Sequence, residues 1–290
     1  MSNLKEIRTR IVSVESTKKI TSAMKLVSAA KLRRAQNAIS NLRPYANKLN
    51  DILQNLSSDI FIENPLFCKR TPEKVVVVVI TSNRGLCGAF NSNIIKETER
   101  FIHEEYAQQF QEGNLKLICI GEKANEQLQK KYEILKVNNV LLDAPKFEDI
   151  ARIAADLMNN FIQKKIDKVE IIYNHFVNPA TQTLIRETFL PVMNLEISSK
   201  NNNQTNYILE PSQELLMEEL MPKILKLQLY KTLLDSIASE HGARMTAMAK
   251  ATDNATEIIK DLKLKYNNAR QAAITNELNE IVSGAEALKS

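Results

Sequence analysis

Residues 223–287, KILKLQLYKTLLDSIASEHGARMTAMAKATDNATEIIKDLKLKYNNARQAAITNELNEIVSGAEA, decide the fold. An apolar or small residue recurs at Leu227, Tyr230, Leu234 and Ile237, then at Met245, Met248, Thr252, Ala255, Ile259, Leu262, Tyr266, Ala269 and Ala273. The second run alternates steps of three and four without a miss, a heptad seam by which a helix lays one narrow face along another. Pro222 stands in front, where a first helical turn tolerates proline. The only glycines inside are Gly242 and Gly284. A single helix over this span would be roughly 95 Å long. No compact domain of this size needs that length, so the helix is expected to run through or out of something.

The other end of the chain carries a second such pattern. No glycine occurs before Gly85, and residues 3–58 read as helix. Leu4, Ile7, Ile11 and Val14 step 3, 4, 3; after a phase slip, Ile20, Met24 and Val27 step 4, 3. Ala23, Ala29, Ala30 and Ala35 would let a second helix approach closely. Pro44 predicts a kink, and the stretch before it spans roughly 60 Å. Two seamed helices at opposite ends predict an antiparallel coiled coil, closed by whatever lies between. The alternative is that each joins an ordinary helical bundle.

The middle does not read as a bundle. Val75–Ile80 is a short, continuous, β-branched apolar run, the mark of a strand buried on both faces. Leu115–Ile120 is a second, Ile134–Val137 a third, and Val169–Tyr173 and Thr183–Phe189 are further strands. Helical spacing covers 92–110, 122–131 and 147–164, the last on the stripe Ile150, Ala154, Leu157, Phe161. Alternating strands and helices predict a mainly parallel, Rossmann-like sheet. The expected organisation is an N-terminal helix over 1–60, an α/β domain over 61–210 and a C-terminal helix over 211–290. Within it, 198–206 (SSKNNNQTN) is a polar loop, Tyr207-Ile208-Leu209 is short and apolar, and Glu210-Pro211-Ser212 leads into a helix start.

Composition bounds the function. Of 290 residues, 44% are hydrophobic and 25% charged, ordinary for a folded protein with a sizeable core. The net charge of +5 is unevenly spread: the first 50 residues hold eleven Lys/Arg against Glu6 and Glu15. A basic helical arm wants an acidic partner. Cys68, Cys87 and Cys119 are odd in number and show no C-x-x-C spacing, which predicts no disulfide framework and a reducing compartment. There is no signal-peptide core and no apolar run of membrane-spanning length. Membrane association is therefore expected only through partners.

The turn after the first strand, Thr81-Ser82-Asn83-Arg84-Gly85-Leu86-Cys87-Gly88-Ala89, is the obvious place for chemistry. Glycine-bearing turns between a strand and a helix can cradle phosphate. This one has neither G-x-G-x-x-G nor Gly-Lys-Ser/Thr, and a tight turn uses glycine in any case. His103, His175 and His241 lack metal-ligand spacing, and His241, beside the seam, reads as packed or exposed. Nothing adjacent marks a base for Cys87. The run Lys31-Leu32-Arg33-Arg34 lacks the aromatic interleaving of nucleic-acid surfaces. We expect no catalytic residue, no cofactor, no metal and no nucleic acid.

The C-terminal tip, Ile274-Thr275-Asn276-Glu277-Leu278-Asn279-Glu280-Ile281-Val282-Ser283-Gly284-Ala285, carries apolar residues shifted off the earlier seam. Such a tip should sit inside something. It resembles the C-terminal signature of the γ subunits of F-type rotary ATP synthases, carried by Ile274, Thr275, Glu277, Glu280, Gly284 and Ala285. Glu240-His241-Gly242-Ala243-Arg244-Met245-Thr246-Ala247-Met248 is similar to the same family. So are Ile7-Arg8-Thr9-Arg10-Ile11, Thr17-Lys18-Lys19-Ile20-Thr21-Ser22-Ala23-Met24, Val27-Ser28-Ala29-Ala30-Lys31 and Arg84-Gly85-Leu86-Cys87-Gly88. The matches span the chain. The loop around Asn201–Gln204 departs from the family, and a cysteine-bearing regulatory insertion of the chloroplast type is lacking, so thiol control is not expected.

The resemblance implies a rotor shaft. The two end helices would wind inside a ring of three α and three β subunits, with the α/β domain against the ε subunit and the membrane c-ring. Proton flow would be coupled to ATP synthesis or hydrolysis at the β sites by rotation. It implies contacts to β from Lys18, Lys19, Met24 and Lys25 on the lower shaft, and from Arg270 and Gln271 just before the Ile-Thr signature. By heptad position Arg270 flanks the seam and Gln271 points away from it, so both also read simply as solvated polar residues. An initiating Met1 without a transit peptide favours a bacterial protein at the cytoplasmic face of the inner membrane. Two other classes stand against this reading. A DNA-organising coiled-coil ATPase would need a phosphate loop near the N-terminus, where residues 1–60 have no glycine. A small-molecule enzyme or binding module would use the α/β domain, with helical arms for assembly.

Overall fold

The structure is a computed structural model that describes residues 2–54, 65–192 and 212–287. Its elements, in order, are α1 (Ser2–Gln54), a 3-10 turn (Pro65–Phe67), β1 (Val75–Ile80), α2 (Phe90–Glu105), α3 (Ala107–Gln111), β2 (Leu115–Ile120), α4 (Glu122–Leu128), β3 (Glu133–Asn138), α5 (Val140–Asp143), α6 (Phe147–Ile162), β4 (Lys168–Phe176), β5 (Gln182–Leu190) and α7 (Gln213–Ala287). The polar loop at 198–206 and the apolar run at 207–209 lie outside the described residues, as do 55–58 at the expected end of the first helix. The chain forms two compact units: Met1–Ser28 with Met245–Ser290, and Ala29–Arg244.

The first unit is the helix pair, and it is antiparallel. Thr21 Oγ1 lies 2.8 Å from Thr252 Oγ1, and Lys263 Nζ lies 3.3 Å from Glu15. As the position falls on α1 it rises on α7. The α7 seam is the one the spacing predicts: Met248, Ala255, Ile259 and Leu262 are buried, and Met245, Thr252, Tyr266, Ala269 and Ala273 are half-buried.

The α1 seam corrects the sequence reading. Leu4, Ile7, Ile11 and Val14 are half-buried as expected, but no phase slip follows. The heptad continues through Lys18 (half-buried), Thr21 and Ser28 (buried), with half-buried Met24 turned inward in place of exposed Lys25, while Ile20 and Val27 face outward at 57% exposure each. These polar seam positions are satisfied within the pair. Ser28 donates to Met24 O at 2.8 Å; of Thr21 and Thr252, whose hydroxyls lie 3.1 Å from Lys18 O and 2.8 Å from Met248 O, one donates to its own carbonyl and the other donates across the pair. Paired hydroxyls are small enough for close helix approach and, being directional, fix register as apolar side chains do not. The exposed Lys263–Glu15 pair adds ~0–1 kcal/mol at most.

The second unit is built on a five-stranded sheet in the order β3-β2-β1-β4-β5. Four strands are parallel and β5 is antiparallel to β4. β1 sits at the centre because every residue of VVVVVI is apolar, and all six are buried. Val75, Val77 and Val79 pack with Phe90, Ile94 and Ile102 of α2. α6 buries Ile150, Ile153, Ala154, Leu157, Met158 and Phe161. Gly121 joins β2 to α4 at φ +112°, and a Cβ there would lie 2.4 Å from Thr81 O. Only glycine fits where these two strand ends are stitched, with Thr81 N–H donating to Ile120 O and Ala124 N–H to Thr81 Oγ1.

The last helix starts earlier than Pro222. Ser212 caps it, its Oγ accepting from Leu215 N–H at 3.3 Å, where the sequence Glu210-Pro211-Ser212 leads into a helix start. Pro222 therefore lies inside α7. Its missing N–H leaves the carbonyl of exposed Glu218 without a helical donor, where water can replace it.

The register yields a test. In a Cys68→Ser background, Thr21→Cys with Thr252→Cys is expected to form a disulfide rapidly under mild oxidation, because the replaced hydroxyls already touch. Thr21→Cys with Tyr266→Cys, four turns further along, is expected not to. Cross-linking of the second pair in place of the first, read on a non-reducing gel, would reject the register.

Candidate functional site

Strand order reverses between β1 and β4, since the chain winds outward through β2 and β3 and then returns to the other side of β1. In open parallel sheets the crevice beyond the strand ends at such a reversal is the usual ligand site. Here α7 passes that crevice, and Arg244 fills the turn. Its Nη2 donates to Arg84 O at 3.0 Å and reaches Gly85 O at 3.4 Å, while Nη1 pairs with the Glu240 carboxylate. The turn thus offers carbonyls to a guanidinium of its own chain, the opposite polarity to a phosphate cradle.

The rest of the turn is tied inward. Ser82 N–H donates to Asn91 Oδ1 at 2.9 Å, Ser82 Oγ donates to Arg84 O at 2.7 Å and Asn91 Nδ2 lies 3.3 Å from Cys87 Sγ. Cys87 is buried, and burial pushes its thiol pKa up, away from a nucleophilic thiolate. Asn83 donates to Asn139 O at 2.8 Å, and Asn139 in turn donates to Glu122.

Three charged or titratable residues of α7 are buried together here: Glu240, His241 and Arg244. Burial raises the Glu240 pKa, with Arg244 pulling the other way. Burial, then the Arg244 and Lys31 charges, lower the His241 pKa to about 4. His241 is therefore neutral, and its Nδ1, 3.3 Å from Arg244 Nη1, accepts a hydrogen bond from the guanidinium. Sequence reasoning placed His241 as packed or exposed and gave Arg244 no contact. The available signal was an i,i+4 Glu-Arg pair inside a run of small residues, Ala238, Ser239, Gly242 and Ala243, which marks close approach. An added Cβ on Gly242 would lie 3.2 Å from Phe176 and Pro179.

The opposite, amino-terminal end of β4 holds a second buried polar group. Glu170 accepts from Tyr106 Oη at 3.0 Å and Thr188 Oγ1 at 3.1 Å and pairs with Lys168 at 2.9 Å. Burial pushes the Tyr106 phenol up to about 12. Every member has a partner, as a structural cluster requires.

The sequence-proposed contact residues all fall in the helix pair. Lys19 and Lys25 are exposed, Lys18 and Met24 half-buried. Arg270 and Gln271 are exposed, and Arg270 makes no hydrogen bond or ion pair among the described residues. The antiparallel register puts the two groups at different levels of the pair and does not bring them together. The register also carries Leu4 to the neighbourhood of Ala269 and Ala273, so α7 outruns α1 beyond that point. The signature residues Ile274, Thr275, Glu277, Glu280, Gly284 and Ala285 lie on this outrunning end. Leu278, Ile281 and Val282 there are all exposed. Gly284 has open space around its Cα. Among the described residues no helix is long and apolar enough to cross a membrane, and no cluster of three or more His, Cys, Asp or Glu could hold a metal.

A family model described as ATP synthase matches residues 3–288. The chain is 53% identical to the ATP synthase gamma chain of Flavobacterium johnsoniae, with 99% of each covered. It is 50% identical to that of Christiangramia forsetii over 99% of each, and 47% identical to that of Geobacter sp. over 100% of each. Among solved structures it is similar to a chain of the Tetrahymena thermophila mitochondrial ATP synthase central stalk and c-ring, with TM-score 0.59 and 26% identity over 80% of this chain and 99% of that one. A chain of the Euglena gracilis mitochondrial ATP synthase shares the fold at TM-score 0.69 and 20% identity, over 99% of this chain and 95% of that one.

The His241 environment predicts a pH dependence. Its folded pKa of about 4 lies below the unfolded value near 6.5, so the unfolded chain takes up the proton first. Stability is intact above pH ~6.5, falls on acidification and reaches its full deficit below pH ~4, with ~2 kcal/mol lost by pH 5. Glu240, with its raised pKa, acts in the opposite direction at the acid end. His241→Gln is expected to lose less stability than the unsubstituted chain between pH 7.5 and 5, read from urea midpoints. Parallel pH profiles would reject the assignment.

Proposed function

The chain belongs to the ATP synthase γ-chain family, and from that premise we propose that it is the central-stalk shaft of a rotary ATP synthase. The observation that carries the proposal is the antiparallel pair whose α7 member outruns its partner with an apolar, exposed end. Apolar groups in that number are left at a helix tip when another protein covers them. The helix pair would lie inside a ring of three α and three β subunits. The α/β unit would meet the ε subunit and the c-ring, and the membrane would be reached through those partners, at the cytoplasmic face of a bacterial inner membrane. The subunit itself would carry no catalytic group. Its part is to present different faces to three β sites, so that each orientation stabilises one β conformation over another by differential contact. Driving the shaft by proton flow would then step each site through its affinities.

Two groups of residues would make those contacts. Lys18, Lys19 and Lys25 offer positive charge to acidic segments of β, beside Met24. Exposed charges of this kind are worth ~0–1 kcal/mol each. Arg270 and Gln271 would hydrogen-bond one β subunit at a time, where the planar guanidinium fork suits a carboxylate or carbonyl pair. Hydrogen bonds to a charged group contribute ~1.5–3 kcal/mol. Their loss at the rate-limiting orientation would slow turnover by one to several orders of magnitude.

Purification of a tagged chain from its native membrane is expected to bring α and β subunits with it; recovery of the chain alone would reject the reading. In the assembled complex, Arg270→Ala with Gln271→Ala is expected to leave subunit composition intact and cut both ATP synthesis and hydrolysis at least tenfold. The exposed neighbours Asn267→Ala with Asn268→Ala should do much less. Wild-type rates in an intact Arg270/Gln271 variant would return these residues to the solvated face. Charge reversal of Lys18, Lys19 and Lys25 together should lower coupled synthesis where single Lys→Ala changes do little, and normal synthesis by the triple variant would discard the lysine contacts.

A further inference from the structure

Within the α/β unit α7 is fastened to the sheet by a row of polar contacts. Gln228 donates to Glu187 of β5. His175 Nδ1 of β4 lies 2.9 Å from the Asp235 carboxylate. Ser239 Oγ donates to Asn174 O at 2.9 Å. Arg244, the last residue of the unit on this helix, binds the carbonyls of Arg84 and Gly85 and the Glu240 carboxylate. Beyond it α7 continues unbroken into Met245.

The chain crosses from one unit to the other at two places, Ser28–Ala29 on α1 and Arg244–Met245 on α7. Both helices run unbroken across these points, so each can pass twist along its own axis. Packed apolar ridges resist separation but allow small rolls about a helix axis. A guanidinium shared between two carbonyls and a carboxylate has one geometry. A roll of about 20° moves a group about 6 Å from the helix axis by about 2 Å, which takes it out of hydrogen-bond range.

We propose that Arg244, braced by Glu240, is the torsional anchor of α7: it fixes the angle of the helix about its own axis against the β1 turn, at the residue where the α/β unit ends. This rests on the central-stalk reading, since only a shaft has to carry twist. Arg244 is a positioning residue; it touches no reacting group. Its loss leaves the stalk in place and makes it torsionally softer. The turn Arg84–Gly88 is accordingly the seat of the anchor and not a ligand site. Neither Asp235–His175 nor Ser239 can substitute for it, because both lie more than a helical turn back along α7 and let the segment beyond them twist.

The anchor can be read in the assembled complex. Cys68 is exposed while Cys87 and Cys119 are buried, so a thiol-linked bead at Cys68 reports the angle of the α/β unit relative to an immobilised α/β ring. Rotation of the wild-type bead under ATP comes first; its absence would sink the central-stalk reading and not the anchor. With the rotor halted, the variance of the bead angle is inversely proportional to torsional stiffness. Arg244→Met with Glu240→Gln removes the anchor without leaving a buried lone charge, and is expected to raise the variance about twofold, as thermal amplitude follows stiffness. Arg244→Lys keeps the ion pair but loses the fork, and should fall between the two. Lys223→Ala, exposed on the same helix, should match wild type. If the double variant fails to assemble, the Lys variant decides. An assembled Arg244 variant with wild-type variance would overturn the proposal.

Discussion

Eleven consecutive residues of α7, Thr232–Gly242, are buried, and the rest of the second unit follows from that. A helix buried all round has no face to give to water, so each polar group on it needs a protein partner. Thr232 turns back to Gln228 O, Asp235 faces His175, Ser239 reaches Asn174 O, and Glu240 and His241 share Arg244; Ser236 Oγ is the exception on this stretch, buried with no hydrogen-bond partner among the described residues. An apolar helix would have met the same burial more cheaply. A charged one acquires a fixed angle and depth against the sheet. The cost is visible in the raised carboxylate pKa of Asp235 and Glu240 and the lowered one of His241.

The same helix is legible in sequence only where it changes character. From Met245 onward two positions in every seven are covered, and the alternating steps of three and four could be read directly. Between Thr232 and Gly242 the spacing of Leu234 and Ile237 marks one face only, although every position is inside; there Ser, Gly and Ala report close approach, and only contacts show to what. On α1 the reverse error occurs. Apolar spacing follows Ile20, Met24 and Val27, although of these only Met24 is turned inward and the seam otherwise runs through Lys18, Thr21 and Ser28. Hydroxyls that bond their own helix are as good as apolar side chains for packing, and nothing in composition says so. The strands were readable because β-branched runs buried on both faces admit little else. The proposed contact residues are exposed, and exposure alone carries no role, so Arg270 and Gln271 rest on family likeness.

In the helix pair, apolar residues also face outward. Val12 is 61% exposed, Leu26 69% and Leu264 65%. On a protein that works alone such groups would be a liability. Lining a helix pair whose α7 end is itself apolar, they fit a chain surrounded by other subunits for most of that length. The basic residues Arg8, Arg10, Lys19 and Lys25 are interspersed among them and exposed, so an enclosing partner would have to be partly apolar and partly acidic.

Two strengths of interaction are therefore separated along one chain. Buried, charge-assisted bonds hold α7 to the sheet, and each needs its partner because an unpaired buried charge is expensive. The outward lysines and the tip residues can make only contacts worth ~0–1 kcal/mol for exposed charges and ~1.5–3 kcal/mol for charge-assisted hydrogen bonds. For a rotor this division is a physical requirement. Contacts that must be broken and remade with each of three identical neighbours have to be weak singly, or the shaft would rest in the deepest one. Contacts that carry the twist must not yield first. The weakest link in the internal chain has to exceed the strongest external one, and the placing of Arg244 with Glu240, buried at the turn after the central strand, and of Arg270, exposed on the helix pair, runs in that direction.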